Sequence, residues 1–397
     1  MSDKSKIITF NFIVFIVLGS TVAQVATQIT MPILPVMASA FHVSPGLVQL
    51  SITSYLLGMA ISGIFLGYLS DFLGRRRIML FALLVSAVGT LCCMAASNVY
   101  FVIFGRFIQG IGLSGVWIIS RAITRDKSIG AQLARLFSVL AILDVLIICV
   151  SPLIGGLFQK YFGWRSVFGV FFIYTALVAL MTCIFDGVNS SAPDERQKLS
   201  GLFHSLAQLM KNKLFQPFNI SAGCIYASHM VYASVGSFLF EKKLGLSPTQ
   251  FGSVAMFISI AYIFGAFLNS KLVMHLSMQK ILFMALGLMW FSILFLMLYV
   301  SRTGLSLHGL LIFVILDAIA GSIILLNGIT MALSSVEKKI GTCSAFMSTS
   351  QFIIGGVFSA VMSCFTIDSV MPLVAVSAVL AFIISIMSMV ATYPKRD

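Results

Sequence analysis

Runs of about twenty mostly apolar residues recur along the whole chain, each long enough to cross a ~30 Å hydrocarbon core as a helix. Of its residues 59% are hydrophobic and only 9% are charged, more apolar surface than a water-soluble domain can hide. The chain therefore reads as an all-α membrane protein that crosses the bilayer many times.

The first apolar run starts near Ile8 and continues past Pro35. It exceeds a signal-peptide core and offers no convincing small-residue cleavage site, so it is expected as a mature span. Cys92, Cys93, Cys149, Cys183, Cys224, Cys343 and Cys364 lie mostly inside apolar runs and lack metal-ligand spacing. They read as small packing residues, and no metal or other cofactor is expected.

Twelve spans are expected, at roughly 9–38, 46–69, 76–96, 99–121, 134–158, 164–186, 217–240, 249–270, 279–300, 307–333, 340–364 and 370–392. The one sizeable polar stretch, 186–215, divides six spans from six. This predicts an N-terminal six-helix bundle (1–186), a cytoplasmic linker (187–215) and a C-terminal six-helix bundle (216–397). The second half of the linker reads as an amphipathic surface helix, with Leu202, Leu206, Leu209 and Leu214 near one face. Faint similarity between the loops after spans 2 and 8 points to parallel repeats, as in many transporters.

The net charge of +13 is split among short loops rather than gathered on one face, which excludes a nucleic-acid partner. It follows the positive-inside rule instead. With the N-terminus inside, of 25 Lys and Arg only Lys160, Arg165, Lys242, Lys243 and Arg302 fall outside. Arg106 falls within a span, and the other nineteen, Arg121 among them, are assigned to cytoplasmic segments. Both termini are expected in the cytoplasm.

The stretch GYLSDFLGRRRIML, Gly67 to Leu80, sets one acid and three arginines between two apolar runs. Its glycines permit a tight turn and close helix approach, and its arginines fix topology. With Gly67, Leu69, Asp71, Gly74, Arg75, Arg76 and Arg77 it resembles the G-x-L-x-D-x-x-G-R-[RK]-[RK] loop between spans 2 and 3 of the major facilitator superfamily. The resemblance implies a conformational latch that holds the halves in the outward-open state. RFIQGIGLSG, Arg106 to Gly115, resembles the same superfamily's span-4 pattern, whose arginine is implied to assist proton transfer. SPLIGG, Ser151 to Gly156, resembles the end of the span-5 antiporter motif; Pro152, Gly155 and Gly156 agree with it, while Ser151 and Ile147 stand where glycines are usual. ISRAITRD, GWRSVF, LGLSPTQFG and GTCSAF are similar to the bicyclomycin-resistance-like (Bcr/CflA) branch of twelve-span drug:proton antiporters, so the resemblance covers nearly the whole chain. It implies two six-helix bundles related by a pseudo-two-fold axis. One departure stands out: TQITMPILP puts Gln28 where that branch usually has an acid, and Gln28 cannot carry a proton. Pro32 and Pro35 are expected to kink span 1.

Only Asp144 in span 5 and Asp317 in span 10 fall well inside spans. On these boundaries Asp144 lies roughly 20 Å from the outer end of its helix and Asp317 roughly 15 Å. Intramembrane acids are functional candidates. Asp144 is the first candidate proton site, with Arg106, about 10 Å from the outer end of span 4, as a possible partner. The alternative is a structural hydrogen bond locking spans 4 and 5. Asp317 stands between proton or substrate duty and structural pairing. Gln28, Gln109, Tyr226, His229, Asp317 and Asn327 are candidate cavity residues, each with interhelical hydrogen bonding as the plainer role.

The expected function is proton-driven efflux of small amphipathic compounds, the halves rocking around a central cavity. The alternative is a dedicated exporter of an endogenous metabolite such as a siderophore or amino-acid derivative, favoured by Gln28 and by the charge of Arg106. A sensor is disfavoured because the sequence carries no soluble domain to signal through. No HExxH, GxSxG or paired catalytic set falls within a span, so no enzyme is expected. The setting expected is the bacterial inner membrane, the state a monomer, and the partners lipid, protons and a small-molecule substrate.

Overall fold

The structure, a computed structural model, describes residues 10–127, 130–185, 199–336, 340–365 and 369–392. Residues 186–198, the first part of the expected linker, lie outside these, as do the basic residues at both chain ends.

The first span is broken in two. Helix α1 (Phe10–Gln28) ends before a 3-10 turn, Met31–Ile33, and α2 (Leu34–Ala40) resumes the path. Pro32 and Pro35 sit in the first turn of the 3-10 segment and of α2. Proline there gives up no hydrogen bond that the starting turn would make, whereas one long helix through both would lose its ladder. Spans two to six are α3 (Pro45–Leu73), α4 (Arg75–Met94), α5 (Val99–Lys127), α6 (Gly130–Phe162) and α7 (Trp164–Ile184). Helix α8 (Leu199–Lys211) belongs to the connection between halves, with Leu209 buried against the bundle and Met210 exposed. Spans seven to twelve are α9 (Phe215–Phe238), α10 (Pro248–Leu272), α11 (Met278–Thr303), α12 (Leu307–Ser334), α13 (Ile340–Ser363) and α14 (Met371–Thr392).

Among the described residues, 11 helical stretches are long and apolar enough to span a membrane. Helix α9 completes the twelve. It is more polar, with Asn219, Ser221, Ser228, Ser234 and Ser237, but nearly all its residues are buried against other helices. Facing protein, it does not need the uniformly apolar surface that lipid demands. Helix α4 shows the opposite case: Phe81, Leu84, Val88 and Leu91 form an exposed apolar stripe at helical spacing, suited to lipid.

Helices α1 and α3 to α7 pack as one bundle and α9 to α14 as a second. The two meet along α3 with α13 and along α6 with α10. Exchanging the halves converts span two into span eight and span eleven into span five, so each contact maps onto the other. This is the pseudo-two-fold arrangement.

The halves touch at one end. Glycines 156 and 252 bring α6 and α10 into backbone contact: a Cβ on Gly156 would lie 2.5 Å from the Pro248 carbonyl oxygen, and one on Gly252 2.7 Å from that of Pro152. The Thr249 hydroxyl donates to the Gly156 carbonyl at 3.2 Å. Beside them, Lys242 Nζ donates to Ser39 Oγ at 2.6 Å, and Thr53 Oγ1 donates to Ser359 Oγ at 3.2 Å. Among the described residues, the hydrogen bonds crossing between halves lie at this end or at mid-depth. None lies at the end that carries the arginine-rich loop.

Candidate functional site at the inter-half face

The break in α1 shapes the first polar cluster. An uninterrupted helix would occupy the carbonyl of Ala26 with a backbone N–H four residues on. The break frees it. Arg106 on α5 donates from Nη1 to that oxygen at 3.2 Å and to Gln109 Oε1 at 2.6 Å, and from Nη2 to Thr30 Oγ1 at 3.2 Å. Its guanidinium also lies over the Tyr55 ring, 4.4 Å from the centroid, and the Tyr55 hydroxyl donates to Ala23 O at 2.7 Å. The C-terminal end of α1 is the negative end of its dipole, which suits a cation there. Arg106 is only 2% exposed, and no carboxylate is among these partners.

This corrects the pairing expected of Arg106. It forms no ion pair with Asp144; its three hydrogen bonds go to Ala26 O and Thr30 Oγ1 at the end of α1 and to Gln109. Gln109 is corrected as well: it does not line a cavity but is 1% exposed, its Nε2 donating to Thr90 Oγ1 on α4 at 2.8 Å. Asn327 is likewise packed, its Nδ2 donating to Asn269 Oδ1 at 2.7 Å and to Ile323 O at 2.9 Å, which clamps α12 to α10.

Asp144 is half-buried on α6. Helix α6 continues to Phe162, so Asp144 sits about 27 Å from that end at 1.5 Å per residue, deeper than the shorter expected span implied. Ser20 Oγ on α1 donates to Asp144 Oδ1 at 2.8 Å. One residue on, Thr21 shares a hydrogen bond of 2.8 Å with the Tyr174 hydroxyl of α7, which also donates to Leu18 O at 2.8 Å. Ser120 of α5 packs on Gly19, next to Ser20, which sets the following residue, Arg121, beside this cluster. Arg121 and Asp144 form no ion pair.

Arg121 is expected at the cytoplasmic end of span 4, and helix α5 runs on to Lys127, so it sits on the helix rather than beyond its end. Arg121 is exposed, with its guanidinium 4.3 Å from the centroid of the Trp117 ring one turn earlier. Trp117 meets Phe352 of α13 edge-on at 6.0 Å, and Phe352 meets Tyr226 of α9 at 5.7 Å. This face of α5 therefore looks at the other half. The signal was available in sequence: no glycine or proline lies between Gly115 and Lys127, so nothing ends the helix before Arg121.

Gln28 and His229 touch across the halves, Nε2 to Nε2 at 3.0 Å. Asp317 on α12 accepts from Ser228 Oγ at 3.4 Å, and its Oδ1 is buried without a hydrogen-bond partner. The loop residues stay within the N-terminal half. Gly74 has φ +97°, a conformation that side-chain-bearing residues rarely adopt, and it turns α3 into α4. Arg75 pairs with Asp71, and with Asp126 of α5 at 3.1 Å, and donates to Ser70 Oγ at 2.8 Å. Arg76 donates to the Cys183 carbonyl of α7, Arg77 is exposed, and Gly67 faces Ile118 of α5. Among the motif residues of α6, Gly155 approaches the Ile29 carbonyl at the break in span one, and Pro152 and Gly156 meet α10.

Two six-helix bundles with polar side chains turned to the seam between them are the architecture of a membrane transporter. The family model of the Major Facilitator Superfamily matches residues 16–360, and the chain belongs to that family. It is 25% identical over 368 residues to a "Bicyclomycin resistance protein homolog" of Haemophilus influenzae, covering 92% of each chain. It is 24% identical over 345 residues to "Chloramphenicol resistance protein CraA" of Acinetobacter baumannii, covering 86% of this chain and 82% of that one. The crystal structure of a D-xylose-proton symporter shares the fold, with a TM-score of 0.72 at 15% identity over 97% of both chains.

Proposed function

We propose that this transporter exports small amphipathic compounds in exchange for protons, across a bacterial inner membrane, as a monomer with both termini in the cytoplasm. The observation that carries the reading is Asp144: a half-buried carboxylate inside a spanning helix, held by Ser20 near the face that looks at the other half. A carboxylate in such a place is a costly feature that function retains. Protonation and substrate binding there bias the same two-state element in opposite directions, which is what exchange requires. Drug-resistance proteins among the relatives support a foreign or amphipathic cargo.

On the orientation given by the basic loops, the end where the halves touch is the outer one, and this conformation faces the cytoplasm. The Arg75–Asp71–Asp126 cluster then waits within the N-terminal half, and we assign it the latch that engages the C-terminal half when the inner end closes.

The second reading, a dedicated exporter of one metabolite, is favoured by Gln28, which brings an amide rather than a carboxylate to the seam. Purified protein in liposomes with a pH-sensitive dye separates the two. Proton release driven by several unrelated drugs supports the first. Silence to drugs with a response to one metabolite supports the second. No proton movement with any exported compound removes the coupling.

A further inference from the structure

Arg121 and Asp144 are opposite charges brought to the same stretch of α1 yet not joined: Ser120, beside Arg121, packs on Gly19, where a Cβ would collide with Ser120 Oγ, and the next residue, Ser20, holds Asp144. Opposite charges near one another and free to move attract and close into an ion pair. Here each is held elsewhere. The Trp117 ring carries the guanidinium of Arg121 at 4.3 Å, and Ser20 holds the carboxylate of Asp144 at 2.8 Å. Among the described residues, no hydrogen bond from the Arg121 guanidinium takes up its fork of donors, and the side chain is exposed. Asp144 is only half-buried. The aromatic surface that begins at Trp117 continues across the seam through Phe352 to Tyr226.

We infer that the gap between Arg121 and Asp144 is a substrate subsite for the head of a zwitterion, with its aromatic or apolar body on Trp117 and Phe352. A carboxylate fits the guanidinium fork, and an ammonium fits Asp144. A cation alone meets the field of Arg121, and an anion alone meets that of Asp144. Only a head carrying both charges satisfies both groups, and because the two are already held apart, little ordering is needed on binding. The proposal rests on the export reading only in taking the seam as the substrate route; it names the class of cargo.

The test is equilibrium binding to the full-length purified protein in detergent, by calorimetry. The probes share one aromatic body: 2-naphthylalanine (zwitterion), its amide (cation), its N-acetyl derivative (anion) and the N-acetyl amide (neutral). The zwitterion is expected to bind about tenfold or more tightly than the other three, a difference of about 1.4 kcal/mol. Arg121→Gln is expected to bring the zwitterion down to the level of the amide, leaving the amide itself no weaker. Asp144→Asn is expected to bring it down to the level of the N-acetyl derivative. This crossed pattern is one that misfolding cannot produce. Equal affinities for all four, tightest binding of the amide, or no binding of the zwitterion overturns the proposal. Because binding is read without a gradient, zwitterion binding that releases no proton in liposomes strikes the coupling and leaves the subsite standing.

Discussion

Gln28 and His229 join the two halves of the molecule through a single contact of 3.0 Å between side-chain nitrogens. The contact needs a donor on one side and a lone pair on the other, so the Gln28 amide donates to the unprotonated Nε2 of His229, or its flipped oxygen accepts from a protonated one. It lies at the seam that must part when the outer end opens. His229→Leu should therefore favour the outward-open arrangement by about the net worth of one hydrogen bond, ~1 kcal/mol, or roughly fivefold in population. Distances between spin labels at positions 43 and 306, on the outer loops of the two halves, report it. An unchanged distance distribution would show that the contact does not hold the seam.

Asp144→Asn should abolish substrate-driven proton movement while leaving yield and thermal stability near wild type, since an amide can still accept from Ser20. Asp317→Asn serves as the comparison. Should Asp144→Asn still move protons and Asp317→Asn not, the proton site is the carboxylate with the unpartnered Oδ1 on α12.

Gly156→Leu places a side chain where the Pro248 backbone already stands. Overpacking of this kind costs about 1–3 kcal/mol, and here the cost falls on closure of the outer end rather than on either bundle. Export should fall at least tenfold with little change in melting temperature. Labelling of a cysteine introduced at Thr249 should rise, because the outer end stays open.

Within the Arg75 cluster the two acids are not equivalent. The Asp126 side chain is 27% exposed and that of Asp71 49%. Arg75 is itself buried, so loss of the better-shielded partner leaves more of its charge uncompensated. Asp126→Asn should destabilise the fold more than Asp71→Asn, by about 1 kcal/mol, and so lower the melting temperature further. The reverse order in a thermal-shift assay would contradict the assignment.

Glu241 supplies a pH dependence near the end where the halves touch. It lies in the π-turn Leu239–Lys243 that follows α9, with Oε1 buried and without a hydrogen-bond partner. Burial pushes its carboxyl up to about 9, against a partial opposing effect of Lys242. The folded form therefore keeps a proton that the unfolded form releases near the ordinary carboxylate value. Folded-state stability from this group is fully present below that ordinary value and declines as pH rises toward about 9. Melting temperature should fall across that window, and Glu241→Gln should flatten the slope.

The spans, the fracture of the first one at TMPILP and the tight turn at Gly74 were all legible in the sequence, because each follows from local chemistry: apolar length, proline and glycine. The neighbours of polar residues inside the spans were not. In a membrane bundle a polar side chain on a helix face has three possible surroundings, and helical periodicity does not tell a wet seam from a dry interhelical contact. Gln109 and Asn327 were therefore expected at a cavity and instead pack against Thr90 and Asn269. The surroundings of Arg121 were hidden for a related reason: a basic residue near a span end reads as a topology anchor, and only the continuation of α5 shows it resting on Trp117 at the face toward the other half. One partner of Arg106, the Ala26 carbonyl, is free only because Pro32 and Pro35, far from Arg106 in sequence, interrupt the first span, a relation no local window contains.

That relation also limits how the first span moves. If α1 and α2 straightened into one rod, the Ala26 oxygen would return to the helix ladder and a buried guanidinium would lose part of its solvation. The bend and the arginine hold each other in place, so the first span is a rigid elbow. Motion between the two access states must then pass around it, with the bundle turning as a block.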